Sequence, residues 1–309
     1  MNKKYIIAAF IFVICALLGL SGAVQYRRHH DAAEVLGHYA LEQARQKLPL
    51  MTSIRIKTPQ NGEISLYRKE NYWRFHEAAD YFINNKTLTD FYDFINNAVI
   101  TDVYPASAEK IAELHNGIEI QILDDNENKL AHLWLAEKAD TDNMHTMQLS
   151  DSNYIFRVNH TKPYFGEPQA WIPMPLLQIK NETILGIDYG SQFLDREILI
   201  AGKKQFEFIR NLLTALNYTL YEGIISRQDF FSSHPDITPK TLQIYISGGL
   251  IYVLHLYNIN NTIWLTIDLK TQKITRQEMA VLVQNMQPYY ADWVFQLNAE
   301  QGTALLPLD

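Results

Sequence analysis

Apolar and polar positions along this chain change period several times, and the changes mark out its organisation. Tyr5–Val24 run for twenty positions without a charge, between Lys3 and Lys4 on one side and Arg27 and Arg28 on the other. Twenty helical residues at about 1.5 Å each reach roughly 30 Å, the thickness of a bilayer's hydrocarbon core. The pattern predicts a membrane anchor within residues 1–30. A cleaved secretory signal is the competing reading: Ser21-Gly22-Ala23 offers small residues for cleavage, but such signals have apolar cores of only about 7–15 residues. Asp31 can cap a following helix, and Val35, Leu36, Tyr39, Ala40 and Leu48 recur near helical spacing, so residues 31–50 read as a helical stalk.

From residue 53 the period becomes two. Ser53–Lys57, Glu63–Arg68 and Tyr72–Phe75 read as three short strands, the first two joined by a turn at Pro59-Gln60-Asn61-Gly62. Thr87 then opens a helix whose apolar stripe is Leu88, Phe91, Tyr92, Phe94, Ile95 and Val99, followed by an extended stretch ending at Pro105. Four strands come next, Gly117–Leu123, Leu130–Leu135, Met144–Leu149 and Tyr154–Val158. The order then recurs. Thr183–Asp188 and Glu197–Ile200 read as extended, and Gln205, Phe206, Phe208, Ile209, Leu212, Leu213 and Leu216 as a helix. Tyr218–Ile225 is extended again. Leu242–Ile246 and Leu250–Leu256 form a hairpin across Gly248-Gly249, and Ile263–Ile267 and Trp293–Leu297 complete the set. The Pro-rich passage 159–178 separates the halves. The expected fold is α+β: an anchor and stalk, then two repeated units of antiparallel strands plus a helix at 51–172 and 173–309.

Charge narrows the function. The chain holds 27 Lys and Arg against 34 Asp and Glu, a net of −7; past residue 30 the balance is 23 against 34, or −11. A body so acidic, with no basic run, is a poor nucleic-acid binder, because neutralising phosphates supplies that affinity. The single cysteine, Cys15, lies in the apolar run, so no disulfide or cysteine-based metal site is expected in the body. Phosphate-binding glycine loops, a GxSxG elbow and an HExxH helix are all absent from the sequence. The histidines are scattered, with His132 and His255 inside strands, and Asp124-Asp125 with Glu127 reads as hairpin-turn chemistry. No catalytic residue, metal ligand or cofactor is expected. Aromatics are enriched at 12%, and the cluster Tyr289, Tyr290 and Trp293 is the candidate interaction surface.

Several segments resemble the bacterial proteins that carry "domain of unknown function 4340". These are SIRIKT, SLYRKENYWRF, the hairpin GIEIQILDDNENKLAHLWLAE, YIFRV, LLQIKNETILGIDYG and DWVFQL, spread over residues 50–300. The resemblance implies a membrane-tethered envelope protein found beside auxiliary subunits of ABC-type transport systems, including gliding-motility-type ones. It brings no catalytic motif, and this chain lacks the large auxiliary domain that sometimes precedes the module. The expected function is a single-pass, non-enzymatic accessory or interaction protein. It would be anchored in the cell membrane through residues 5–24, with its body periplasmic or extracellular and protein partners in an envelope or transport complex. The alternative is an envelope carbohydrate-binding protein or hydrolase using aromatic platforms and paired carboxylates.

Overall fold

The structure is a computed structural model that describes residues 34–136, 144–160, 165–190, 192–272 and 277–306. The expected anchor at 5–24 lies outside them, and among the described residues no helix is long and apolar enough to cross a membrane. The stalk does not run as one helix where it is described. Glu34 and Val35 are helical, but the chain turns at Gly37, whose φ of +80° suits a residue without a Cβ. The backbone N–H groups of Gly37 and Ala40 then donate to Ile100 O and Ala98 O, and a short helix α1 follows at Glu42–Lys47. Burial of Ala40, Leu41 and Ala44 is what this arrangement gains over a free-standing helix.

Strands β1 (Ser53–Thr58), β2 (Gly62–Lys69), β3 (Tyr72–Phe75) and β4 (Tyr81–Phe82) precede helix α2 (Asn85–Asn97). Then come β5 (Val99–Pro105), α3 (Ala108–His115), β6 (Ile118–Leu123), β7 (Lys129–Leu135), β8 (Met144–Leu149) and β9 (Tyr154–Asn159). The chain continues through β10 (Ile184–Asp188), β11 (Phe193–Asp195), α4 (Arg196–Gln205), α5 (Glu207–Asn217), β12 (Tyr221–Ser226) and α6 (Arg227–Ser233). It finishes with β13 (Lys240–Ile246), β14 (Leu250–Ile259), β15 (Thr262–Thr271), α7 (Gln277–Met286), β16 (Trp293–Leu297) and α8 (Ala299–Leu305). The fold is α+β, with antiparallel sheets. Among the described residues, those up to Ser65 together with Lys86–Pro168 form one compact unit. Leu66–Asn85 and those from Gln169 onward form the other.

In the first unit six strands lie in the order β1-β6-β7-β8-β9-β5, with β2 beside β1. In the second the order is β10-β13-β14-β15-β16-β12, with β11 beside β10. The two orders correspond strand for strand. In each, the last pairing passes through a register shift, at Ile100/Asp102 and at Tyr221/Gly223. Alternation explains the cores. Ile54, Ile56, Ile120, Ile122, Leu133 and Leu135 are buried in the first unit with Phe91, Phe94 and Ile95 of α2. Leu242, Ile244, Leu254, Leu256, Leu265 and Ile267 are buried in the second, with Ile209, Leu212, Leu213 and Leu216 of α5.

Two expectations change. Glu197–Ile200, read as extended, is the first turn of α4, because the Asp195 carboxylate caps it by accepting from the Ile198 N–H. The helix expected from Gln205 is broken at Phe206, whose φ and ψ of −117° and 120° are extended, so α4 and α5 are separate helices. Helix α6, which the Ser226 hydroxyl caps and which ends at Ser233, gave no pattern in the sequence, for it buries Phe230 alone of its seven residues. One anchor leaves no periodicity to read.

Candidate functional site

The aromatic cluster singled out in the sequence lies in the second unit, and its members divide. Trp293, at the start of β16, is 6% exposed; its ring packs edge-on to Tyr81 at 5.0 Å and Phe82 at 5.6 Å. Its indole N–H donates to Ala79 O at 2.9 Å. Tyr290 is 7% exposed and its hydroxyl donates to Leu176 O. Tyr289 is half-buried, with its ring 4.4 Å from that of Phe82. Burial pushes the phenols of Tyr81, Tyr221 and Tyr290 well above the ordinary tyrosine value, so they stay neutral.

Two residues that the sequence reading left out complete the outward face. The Arg74 guanidinium lies 3.7 Å from the centroid of Phe82, 5.6 Å from that of Trp293 and 5.8 Å from that of Tyr72. Tyr72 is 49% exposed and meets Phe82 edge-on at 5.3 Å. The alternation of YWRF in β3 sets Tyr72 and Arg74 on one face of the strand. The alternation in YWRF could have paired Tyr72 with Arg74, but the ring nearest the guanidinium belongs to Phe82, which only the fold brings there.

The turn beneath the cluster is strained. Ala79 and Asp80 are both left-handed, at φ of 53° and 58°, a conformation that costs residues with a Cβ about 1–2 kcal/mol each. Each carbonyl is held by the cluster, Ala79 O by Trp293 and Asp80 O by Arg74. The Asp80 carboxylate lies 3.3 Å from His76 Nδ1 and takes a hydrogen bond from Tyr67. Partial burial, and then that carboxylate, push the Tyr67 phenol up to about 12.

Two polar relays occupy sheet faces elsewhere. In the second unit Thr241 Oγ1 lies 3.0 Å from His255 Nδ1, and His255 Nε2 lies 3.3 Å from Asp268 Oδ2. Arg227 donates to Asp268 Oδ1 at 3.2 and 3.3 Å. Hydroxyl, imidazole and carboxylate stand in the order of a hydrolase triad. However, Thr241 sits inside β13, whose backbone N–H groups are committed to the ladders with β10 and β14, and Arg227 already neutralises the carboxylate. Nucleophilic catalysis needs donors free to receive a developing oxyanion. The relay ties three strands together.

In the first unit His132 Nε2 lies 2.9 Å from Glu119 Oε1, which also accepts from Gln121 at 2.7 Å. Burial alone would raise the Glu119 pKa, but these hydrogen bonds outweigh it and hold the carboxyl below its usual range. Trp134 has the His115 ring stacked on it at 3.9 Å and the His132 ring tilted to it at 4.4 Å. The carboxylate nearest this aromatic platform is thus already engaged. At the β6–β7 turn Asp124 accepts from the N–H groups of Asn126 and Asn128, the turn chemistry expected there. Among the described residues no group of three or more His, Cys, Asp or Glu converges to hold a metal. No family model matches the chain, and no curated protein and no solved structure matches it either.

Proposed function

We propose that this chain is a single-pass, membrane-anchored, non-enzymatic accessory protein of the bacterial envelope. Its body would bind a protein partner, of the ABC-type transport class, through the face made by Tyr72, Arg74 and Tyr289. Support for the anchor comes from the twenty-residue apolar run, and support for the envelope setting from the resemblance to domain of unknown function 4340. The matching strand orders of the two sheets favour a duplicated module, the architecture of a scaffold that offers similar surfaces twice. We take residues 1–30 as the anchor and the body as periplasmic or extracellular.

The observation that carries the reading is the Arg74 guanidinium over the ring of Phe82 at 3.7 Å, beside the exposed ring of Tyr72 and backed by buried Trp293. Tyr, Trp and Arg dominate interface hot spots, the two aromatics because they give large contact area for few rotors and arginine because its planar fork stacks and donates at once. Here the arginine is already ordered, so docking a partner costs little further side-chain entropy.

The test is purification of the tagged full-length protein from its native membrane under gentle conditions, beside a Tyr72→Ala/Arg74→Ala variant. The expected result is stoichiometric recovery of ABC-transporter subunits with the wild type and their loss from the variant. Recovery of the wild type alone, or equal recovery with both proteins, would overturn the proposal. Tyr72 is half-exposed and Arg74 keeps one carbonyl contact, so a thermal midpoint within a few degrees of wild type confirms that the variant is folded.

A further inference from the structure

In the second unit, between α5 and α8, lies a cavity of about 760 Å³, with Tyr189 and Phe208 in its lining. Its size falls within the roughly 300–1,000 Å³ range of small-molecule sites. Ala215 on α5 and Ala304 on α8 keep it open: larger side chains at these positions would fill it. Among the described residues no lysine or arginine lines it, and Glu300 is its single carboxylate. The rest of its polar lining is carboxamide and hydroxyl.

Those groups present a definite pattern of donors and acceptors. Thr214 and Thr303 donate their hydroxyl protons to Arg210 O and Ala299 O, each at 2.8 Å, and so offer only lone pairs to a ligand. Gln192 and Asn211 make no side-chain hydrogen bond among the described residues, so both their donors and their acceptors are available. Gln301 is fixed, accepting from the Leu220 N–H and donating to Tyr218 O. It anchors α8 to the chain between α5 and β12, and so sets the width of the groove. Tyr189 and Phe208 add ring surface.

This lining selects against most ligand classes. An anion would find no counter-charge, and a cation would find one exposed carboxylate. A wholly apolar molecule would strand the carboxamides without partners, at a cost of about 1–3 kcal/mol for each group left dry. A saccharide matches both halves of the pattern: its hydroxyls donate and accept at once, and its C–H faces stack on rings. We propose that this groove binds a short, uncharged oligosaccharide, with Asn211 and Gln192 pairing its hydroxyls and Tyr189 and Phe208 flanking its apolar face. The site is separate from the Tyr72–Arg74 face and does not depend on the partner proposed for it.

The experiment is isothermal titration of the full-length protein, in a detergent without a sugar headgroup, with chitotriose, cellotriose and maltotriose. Saturable binding of at least one trisaccharide is expected. Asn211→Ala should weaken it about tenfold, the worth of a hydrogen bond or two. Asn211→Trp, which fills the groove, should abolish it, while Tyr72→Ala/Arg74→Ala should leave it unchanged. Asn211 is exposed, and unchanged thermal midpoints confirm that both of its variants fold. The proposal is overturned if none of the three sugars binds, or if the affinity of the one that does survives Asn211→Trp. Loss of transporter subunits from the partner variant would not rescue it.

Discussion

Across β6 and β7 of the first unit, Glu119 faces Trp134 and Gln121 faces His132; across β13 and β14 of the second, Thr241 faces His255 and Gln243 faces Val253. The strand orders are the same, and the buried alternation is nearly so. The half-buried faces differ. One holds an indole in contact with two imidazoles, with a carboxylate served by a glutamine and a histidine. The other holds a hydroxyl, an imidazole and a carboxylate served by an arginine, beside a small apolar cluster of Phe230, Tyr257 and Val294. The helices flanking the two sheets differ too. Phe165 closes on α2, its ring 4.9 Å from Phe91 and 5.8 Å from Phe94, whereas α5 has α8 beside it and an open groove. Topology follows from the apolar alternation that a sheet needs to be buried at all. The other face carries no such obligation, and there the two units differ in chemistry.

The sealed and open helices give the largest contrast. Phe165 is 1% exposed, so Phe165→Ala should cost about 3–5 kcal/mol through lost transfer energy and the cavity left behind. Ala304→Leu points new methylenes into space that already exists, so it should change stability by less than about 1 kcal/mol while blocking the groove. Urea denaturation of both variants checks this. Equal losses would mean that the groove is closed in solution.

The relays come next. His255 joins β13 to β15 by contacting Thr241 and Asp268, so His255→Ala should cost about 2 kcal/mol. His132→Ala leaves Glu119 with Gln121 and should cost about 1 kcal/mol. Equal costs in denaturant titrations would show that the second relay ties its strands no more firmly than the first.

Which parts of this were legible beforehand follows from the same division of faces. Gly117–Leu123 and Leu242–Ile246 could be read as strands because a buried face imposes period two on the sequence. The hairpin at Gly248-Gly249 could be read because both residues need positive φ, here 95° and 91°. α4 was misread because Ile198 and Ile200 are both exposed and only Leu199 of its large apolar residues is buried, too little to mark a helical stripe, and the Asp195 cap outweighs the β-branching of the isoleucines. Tyr289, Tyr290 and Trp293 stood out as a run, but Arg74 and Tyr72, over two hundred positions away, could join them only through tertiary contact. The groove was invisible for the same reason: α8 has seven residues and only Gly302 and Leu305 buried, too little to announce a helix, let alone its neighbour.

The hairpin turns give a smaller contrast. Gly248→Ala forces a Cβ into the left-handed region, 2.8 Å from Met279 Cε, and should cost about 1–2 kcal/mol, since the methyl can swing aside but the backbone cannot. In the β6–β7 turn the left-handed residue is Glu127, at φ of 60°. Glu127→Gly would relieve that strain and lose the exposed ion pair with Arg55, and the two should cancel to within about 0.5 kcal/mol. Thermal midpoints of the two variants read the difference. A loss with Glu127→Gly as large as that with Gly248→Ala would show that the Arg55 pair matters more than its exposure implies.

The smallest effect is a matter of pH and belongs to the first relay alone. Glu119 has a folded pKa below its reference value of 4.5, because Gln121 and His132 bond its ionised form. Between the folded and reference values the unfolded chain binds the extra proton, so acid favours unfolding. The contribution is therefore complete above about pH 4.5 and is lost as the pH falls through the folded value. Glu119→Gln removes the titration and keeps much of the shape. Other carboxylates titrate equally in both proteins, so the informative quantity is the gap between their denaturation midpoints. That gap should hold steady from about pH 7 to pH 5 and narrow below about pH 4. A gap unchanged down to about pH 3 would mean that the Glu119 carboxylate gains nothing from its partners, and that the first unit's relay is a matter of packing around Trp134 instead.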